Sequence, residues 1–291
     1  MKAVSNLISS RFGEVTMNNG VKIPKIGLGL FQVNSSEHIY SLMKTAYDSG
    51  FRLIDSAVMY QNEKDIGYSL KKLNENFGIK REEFLITSKV LPNDMNRKAC
   101  INSVNQTLKN LGTNYLDILL IHWPSNNVSS RLETWLAMQE LVQSKKVLSI
   151  GVSNFTIKHL ENLLSCKEVN IIPCINQIEL HPLYWEQDTI DYCNQKGIVV
   201  EAYGPFKRGD PKLLQNEILV SYAKKYNKTT TQVIMRWFLG KNVVILPRSN
   251  KEEHVKDNLK IDDFNLSQSE IEMIDKMNIM DKHSWNPHSL P

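Results

Sequence analysis

The sequence predicts an α/β protein built as a closed (β/α)8 barrel of the TIM type, and three observations carry that prediction. Eight short apolar runs alternate with segments of helical period, the pattern of a parallel sheet joined by helical crossovers. The eight units fit within 291 residues with no linker or low-complexity stretch, near the roughly 250 residues of one such barrel. Polar and ionisable residues gather where the runs end, the face on which these barrels carry their active sites.

Taken in order, residues 1–12 are expected to be a flexible extension and residues 13–291 a single barrel domain. A hairpin opens the domain. EVTM and VKIPKI flank Asn18-Asn19-Gly20, and Asn-Gly signals a type I′ turn. IGLGL is the first barrel strand, followed by a helix from Ser36 to Ser49 that stops at Gly50. FRLID precedes a helix from Glu63 to Asn76, and FLITSKV one from Arg97 to Leu111, each ended by a glycine soon after. LDILLIH precedes a helix from Arg131 to Ser144, VLSIGVS one from Ile157 to Ser165, and PCINQIE one from Glu186 to Gln195. IVVEAYG leads into helices at Leu213 to Lys225 and Thr231 to Leu239. NVVILP is the last strand, and helices near Lys251 to Leu259 and Gln268 to Lys276 complete the chain.

A doubly wound open sheet is the competing architecture. Gly27-Leu28-Gly29 resembles the start of a dinucleotide fingerprint. Phe31-Gln32-Val33-Asn34 then stand where a helix should open, and the third glycine is missing. The glycine pair is read instead as allowing a close approach of the first strand to a neighbour or ligand.

Composition narrows the function. The net charge of +4 is small and scattered, with no basic helix or aromatic-basic strand, which argues against nucleic acid. Cys100, Cys166, Cys174 and Cys193 have neither paired nor zinc-type spacing, so reduced thiols are expected, with Cys174 in a strand and Cys100 and Cys193 in helices. No apolar run reaches the roughly 20 residues of a membrane span, and the N-terminus lacks a signal-peptide core. A cytoplasmic protein is expected, and a monomer, because no exposed apolar helix stripe stands out.

The chemistry lies in Asp55, Tyr60, Lys89 and His122. Asp55, Lys89 and His122 close strands two, three and four of the barrel, and Tyr60 sits in the loop after Asp55. Adjacent strands lie about 4.8 Å apart, so these ends are neighbours. A buried Lys or His is costly unless it meets a partner or a cleft. A Tyr beside Lys and Asp suits proton transfer at a carbonyl, with the ammonium lowering the phenol pKa and the carboxylate holding the ammonium.

With these residues in view, the sequence resembles the aldo-keto reductase superfamily, from about Val15 to about Pro287, in the manner of a prostaglandin-F-synthase-like or microbial aldehyde-reductase-like member. GFRLIDSAVMYQNE, LITSKV and LLIHWP resemble the family's catalytic segments; GVSNF, INQIELHP, EAYGPF and ILPRSN resemble its cofactor segments in order and place. The resemblance implies NADPH-dependent reduction of small carbonyl compounds, with Tyr60 as general acid, Lys89 and Asp55 supporting it and His122 orienting the carbonyl. It implies that Ser153, Asn154 and Gln177, closing strands five and six, grip the nicotinamide carboxamide and that Tyr203 stacks on the ring. Gly204-Pro205-Phe206 would begin the loop over the pyrophosphate, with Gly29 and Phe31 at the mouth of the same groove. Arg248, Ser249 and Asn250 would surround the 2′-phosphate, and Asp257 and Asn258 would reach the adenine. Arg248 replaces the family's usual Lys and keeps the charge. His254 stands where the family usually has Arg, and histidine is largely neutral at pH 7, so the preference for NADPH over NADH should be weaker than usual. Phe31, Met59 and Trp123, with Trp285, would form an apolar rim around Tyr60 and His122. The stretches from Pro124 to Arg131 and from Gly204 to Leu213 are short, which suggests an open, permissive site. Glu179 and His181 are read as structural.

Two other functions fit parts of the pattern. In a class I aldolase-type barrel Lys89 would form a Schiff base, but the cofactor segments would then have no purpose. A non-catalytic NADP-binding relative would keep the fold and the cofactor segments, and the intact set of four residues argues against it.

Overall fold

The computed structural model describes residues 11–291. The expected loose extension therefore lies outside the described residues except for Arg11 and Phe12. The hairpin pairs β1 (Glu14–Thr16) with β2 (Lys22–Pro24) in antiparallel register, Val15 opposite Ile23. Its turn differs from the type I′ expectation. Gly20 has φ 83°, while Asn18 and Asn19 do not enter the left-handed region, and Gly20 N–H donates to Met17 O at 2.9 Å. That is a longer loop with its glycine in the left-handed position.

The barrel strands follow: β3 (Leu28–Gly29), β4 (Leu53–Asp55), β5 (Leu85–Val90), β6 (Leu116–Ile121), β7 (Val147–Ser153), β8 (Ile175–Glu179), β9 (Val199–Tyr203) and β10 (Val244–Leu246). They form one parallel sheet in sequence order. Gly27 N–H donates to Ile245 O at 2.9 Å and Gly29 N–H to Pro247 O at 3.0 Å, bringing the first and last strands together. Parallel bridges pair Ile26 with Ile245 and Gly29 with Arg248. The Gly27-Gly29 pair thus serves closure. At Gly27 a Cβ would lie 2.8 Å from the side chains of Leu246 and Leu53.

Between the strands run α1 (Ser36–Ser49), α2 (Glu63–Phe77), α3 (Arg97–Leu111), α4 (Val128–Gln143), α5 (Ile157–Leu164) and α6 (Gln187–Gln195). After β9 come α7 (Pro211–Leu214), α8 (Glu217–Tyr226) and α9 (Thr230–Leu239); α10 (Glu252–Asp257) and α11 (Gln268–Asp275) follow β10. Capping chemistry sets most of these ends. Asn96 accepts from Ala99 N–H at 2.9 Å to start α3. Reciprocal Thr229–Gln232 and Ser267–Glu270 boxes start α9 and α11. The helix expected from Leu213 to Lys225 is two helices, because Asn216 caps a fresh start at Ile218 N–H.

Two cores result. One lies between helices and strands and includes Trp135, Trp237 and Phe238. The other fills the barrel with Leu53, Leu85, Ile118, Leu120, Ile175, Val199, Val244 and Leu246, and the hairpin covers it with Met17 and Ile23. Asn18 Nδ2 fastens the hairpin to Pro173 O at 2.9 Å. One end of the barrel is thereby plugged, and the functional chemistry is left to the C-terminal ends of the strands. The four cysteines are free; Cys174 stands just before β8, not within it. Among the described residues no helix is long and apolar enough to cross a membrane.

Candidate active site

Above the apolar filling the barrel interior turns polar. Asp55 ends β4, Lys89 is the penultimate residue of β5, Gln177 is the middle residue of β8 and Glu201 the middle residue of β9. All four are buried. Lys89 Nζ donates to Asp55 Oδ1 at 2.7 Å, Oδ2 at 2.8 Å and Ser56 O at 2.9 Å. It also reaches Tyr60 Oη at 3.2 Å. Tyr60 is carried by a short 3₁₀ turn, Val58–Tyr60, that folds back over the strand ends. Its ring meets Phe31 edge-on at 5.0 Å and the His122 imidazole at 5.8 Å. The four residues marked from sequence are therefore brought together, although Val90 and not Lys89 closes β5 and His122 stands just after β6 rather than closing it.

Burial dominates the electrostatics. It raises the Tyr60 pKa, and the Lys89 ammonium offsets this only in part. The expected net lowering of the phenol is thus corrected: Tyr60 is held protonated, the state a proton donor requires. Burial disfavours the Lys89 ammonium, but Asp55 and Tyr60 outweigh it and raise the Lys89 pKa. Burial, with the charge of Lys89, lowers His122 to about 3, so its imidazole is neutral near pH 7. His122 Nδ1 and Trp123 Nε1 are buried without a partner among the described residues, an unusual state for polar atoms.

Beside this group lie the residues expected to meet a cofactor. Ser153 ends β7 and gives its hydroxyl proton to Gln177 O at 2.8 Å. Asn154, in the left-handed region at φ 61°, donates to His122 O at 3.1 Å and accepts from Tyr203 Oη at 2.8 Å. Gln177 does not close its strand as expected; Glu179 does. Both donor positions of Gln177 are engaged, by Asp55 Oδ1 at 2.8 Å and Glu201 Oε2 at 2.6 Å. Its backbone carbonyl accepts from Ser153 Oγ at 2.8 Å and from Asn154 N–H at 2.9 Å, whereas its side-chain Oε1 has no donor among the described residues. Gly204 and Phe206 begin the loop after β9, where Lys207 and Arg208 take left-handed backbone at φ 46° and 55°.

Arg248 points its fork at the loop after β3, donating to Phe31 O at 2.8 Å and Gln32 O at 3.1 Å. Asn250 O meets His38 Nε2 at 2.8 Å, and Ser249 Oγ bonds Lys251. His254 is exposed on α10, Asp257 partly so, and Asn258 is buried. Arg208, unmarked in the sequence reading, lays its guanidinium over the Phe31 ring at 5.1 Å from the centroid. Two guanidinium groups therefore share the Phe31 segment.

The C-terminal segment supplies the outer rim. Trp285, 55% exposed, stacks on Trp123 at 4.8 Å, and Met59 is exposed nearby in sequence to Tyr60. Glu179 ties this segment down. It accepts from His181 at 3.1 Å, Lys282 at 3.4 Å, the backbone N–H groups of His283 at 2.6 Å and Ser284 at 2.8 Å, and the Ser284 hydroxyl. Burial opposes its charge, but these donors hold its carboxyl well below the usual range. Ser284 also meets Tyr203 Oη at 2.8 Å. Glu179 and His181 are thus structural anchors, as their position after Gln177 suggests. The stretch before α4 is short, with Pro124 buried and only Asn126 and Asn127 exposed, because α4 starts at Val128, three residues earlier than expected.

The model of the aldo/keto reductase family matches residues 25–279. The chain is 40% identical over 276 residues to the glyoxal reductase of Bacillus subtilis, covering 95% of this chain and 96% of that one. It is 33% identical to the glycerol 2-dehydrogenase (NADP(+)) of Saccharomyces cerevisiae, over 90% of each chain. The crystal structure of an aldo-keto reductase from a Medee basin deep-sea metagenome library superposes with a TM-score of 0.88 at 34% identity, covering 95% of this chain and 99% of that one.

Proposed function

The chain belongs to the aldo/keto reductase family, a family of nicotinamide-dependent oxidoreductases acting on carbonyl groups, and we propose that it reduces aldehydes and ketones to alcohols with NADPH, using Tyr60 as the general acid. The observation that carries this reading is the buried contact chain Asp55–Lys89–Tyr60 at the open end of the barrel. NADPH, when bound, supplies a hydride to the carbonyl carbon. Tyr60 gives its phenolic proton to the carbonyl oxygen, so that C=O becomes CH–OH, and a solvent proton restores the phenol. Lys89 stabilises the phenolate left behind. His122, neutral and with a free ring nitrogen, orients the oxygen by a hydrogen bond. The protonated state of Lys89 argues against a Schiff-base role, which needs a neutral amine.

The residues present fit the cofactor. The side-chain Oε1 of Gln177 would be available to the carboxamide of the nicotinamide, with Ser153 and Asn154 beside it, and Tyr203 would offer a flat face. Gly29, Phe31, Gly204 and Phe206 would flank the phosphates, Asp257 and Asn258 the adenine. Arg248, with Ser249, Asn250 and His254, would recognise the 2′-phosphate, and the NADP(+) in the name of the yeast relative supports this choice. On this reading the chain works as a monomer in the cytoplasm, where free thiols such as Cys100 persist.

Adding glyoxal or a simple aldehyde to the protein with NADPH should consume the reduced cofactor. Failure across a panel of aldehydes and ketones would leave the non-catalytic reading instead. Arg248→Ala should raise the Kd for NADPH about 10- to 150-fold, the worth of a charge-assisted bond of about 1.5–3 kcal/mol, and leave NADH little changed. Equal weakening of both cofactors, measured by fluorescence titration, would remove Arg248 from phosphate recognition.

A further inference from the structure

We propose that Glu201 is a positioning residue of the reaction, kept as an uncharged carboxyl in the layer beneath Tyr60, and that its ionisation hinders proton donation by the phenol. The inference rests on Tyr60 acting as the general acid. A glutamate in the middle of the apolar strand VVEAY needs either a cation or a proton, because an isolated buried charge is costly. Glu201 is 0% exposed. Its Oε2 accepts from Gln177 Nε2 at 2.6 Å, and that same nitrogen donates to Asp55 Oδ1 at 2.8 Å. Its Oε1 is buried with no partner among the described residues. Two carboxyl groups therefore share one amide, but only Asp55 has an ammonium bonded to it.

The surroundings decide which carboxyl keeps a proton. Charged and titratable groups face Glu201 from β4 (Asp55), from β5 (Lys89) and from the 3₁₀ turn (Tyr60). The neighbouring β8 offers the amide of Gln177, and β10 contributes Val244, Ile245 and Leu246. Burial, reinforced by the Asp55 carboxylate, pushes Glu201 up to about 8. With Glu201 neutral, Asp55 and Lys89 cancel, and proton donation by Tyr60 leaves the layer with one negative charge. With Glu201 ionised, the same step leaves two, which opposes formation of the phenolate.

Two measurements on the full chain test this. Infrared difference spectra should show a protonated carboxyl band in the wild type at pH 6.5 that fades toward pH 9 and is missing from Glu201→Gln. Single-turnover oxidation of NADPH by an aldehyde should slow on the order of tenfold over the same range in the wild type, for a coupling of about one pK unit. In Glu201→Gln this fall should be lost; Glu201→Leu, also uncharged, should lose it too and serves if the glutamine variant does not fold. Absence of the band from the wild type at pH 6.5, or an unchanged pH profile in whichever variant folds, overturns the role of Glu201. No turnover by any protein with any carbonyl overturns the reduction itself, a different result from intact turnover with an unchanged profile.

Discussion

Tyr60→Phe should lower aldehyde reduction by about 10²–10⁴-fold, the usual worth of general acid catalysis, while the Kd for NADPH changes little. The substitution removes one oxygen and keeps the ring. That ring would retain its edge contacts with Phe31 and His122, so the site keeps its shape. Lys89 would keep Asp55 and the carbonyl of Ser56 as partners, so no buried charge is orphaned and the melting temperature should shift only slightly. The neutral His122 has no proton to spare without becoming an anion, so it cannot take over as donor. Steady-state turnover and cofactor titration of the two proteins together decide the matter. Turnover within tenfold of wild type, with the same pH dependence, would take Tyr60 out of the role.

Much of this site is legible because each strand end carries local signals. FRLID, FLITSK and LDILLIH are apolar runs that finish on ionisable groups with no packing purpose, and the barrel topology makes those ends neighbours. The helices were legible for a similar reason: Asn96, Thr229, Ser267 and the glycines after α1, α2 and α3 mark ends by backbone chemistry that acts within a few residues. What sequence reasoning missed is non-local. Gln177 spends its amide protons across the barrel on Asp55 and Glu201, a pairing of strands β4, β8 and β9 that no spacing encodes. The one available signal for Glu201 was a charge inside VVEAY. Arg208 was equally hidden, since its place over Phe31 depends on left-handed backbone at Lys207 and Arg208, both non-glycine residues. The net pKa of Tyr60 also needed the structure: an ammonium nearby was predictable, but not that burial would outweigh it.

Lys89→Met should both disable reduction and destabilise the protein. Lys89 is 0% exposed, and its three N–H groups serve Asp55 (both carboxylate oxygens), the carbonyl of Ser56 and Tyr60 Oη. Methionine fills much of the same volume, so a cavity is not the main cost. The cost is Asp55, a carboxylate only 4% exposed, which would keep the amide of Gln177 and lose its cation. Removing one partner of a buried pair typically costs about 3–5 kcal/mol, a large share of the roughly 5–15 kcal/mol that holds a folded domain. Catalysis would fail separately, because the phenolate left by Tyr60 would form beside Asp55 with no positive charge to stabilise it. The double variant Lys89→Met with Asp55→Asn separates the two effects. It removes the unpaired carboxylate, so denaturant melts should show stability largely restored, whereas turnover should stay low because the ammonium is still missing. A single Lys89→Met variant with wild-type stability would show that Asp55 is not held by this pair. Recovery of turnover in the double variant would show that Lys89 serves only to neutralise Asp55 and has no part in stabilising the phenolate.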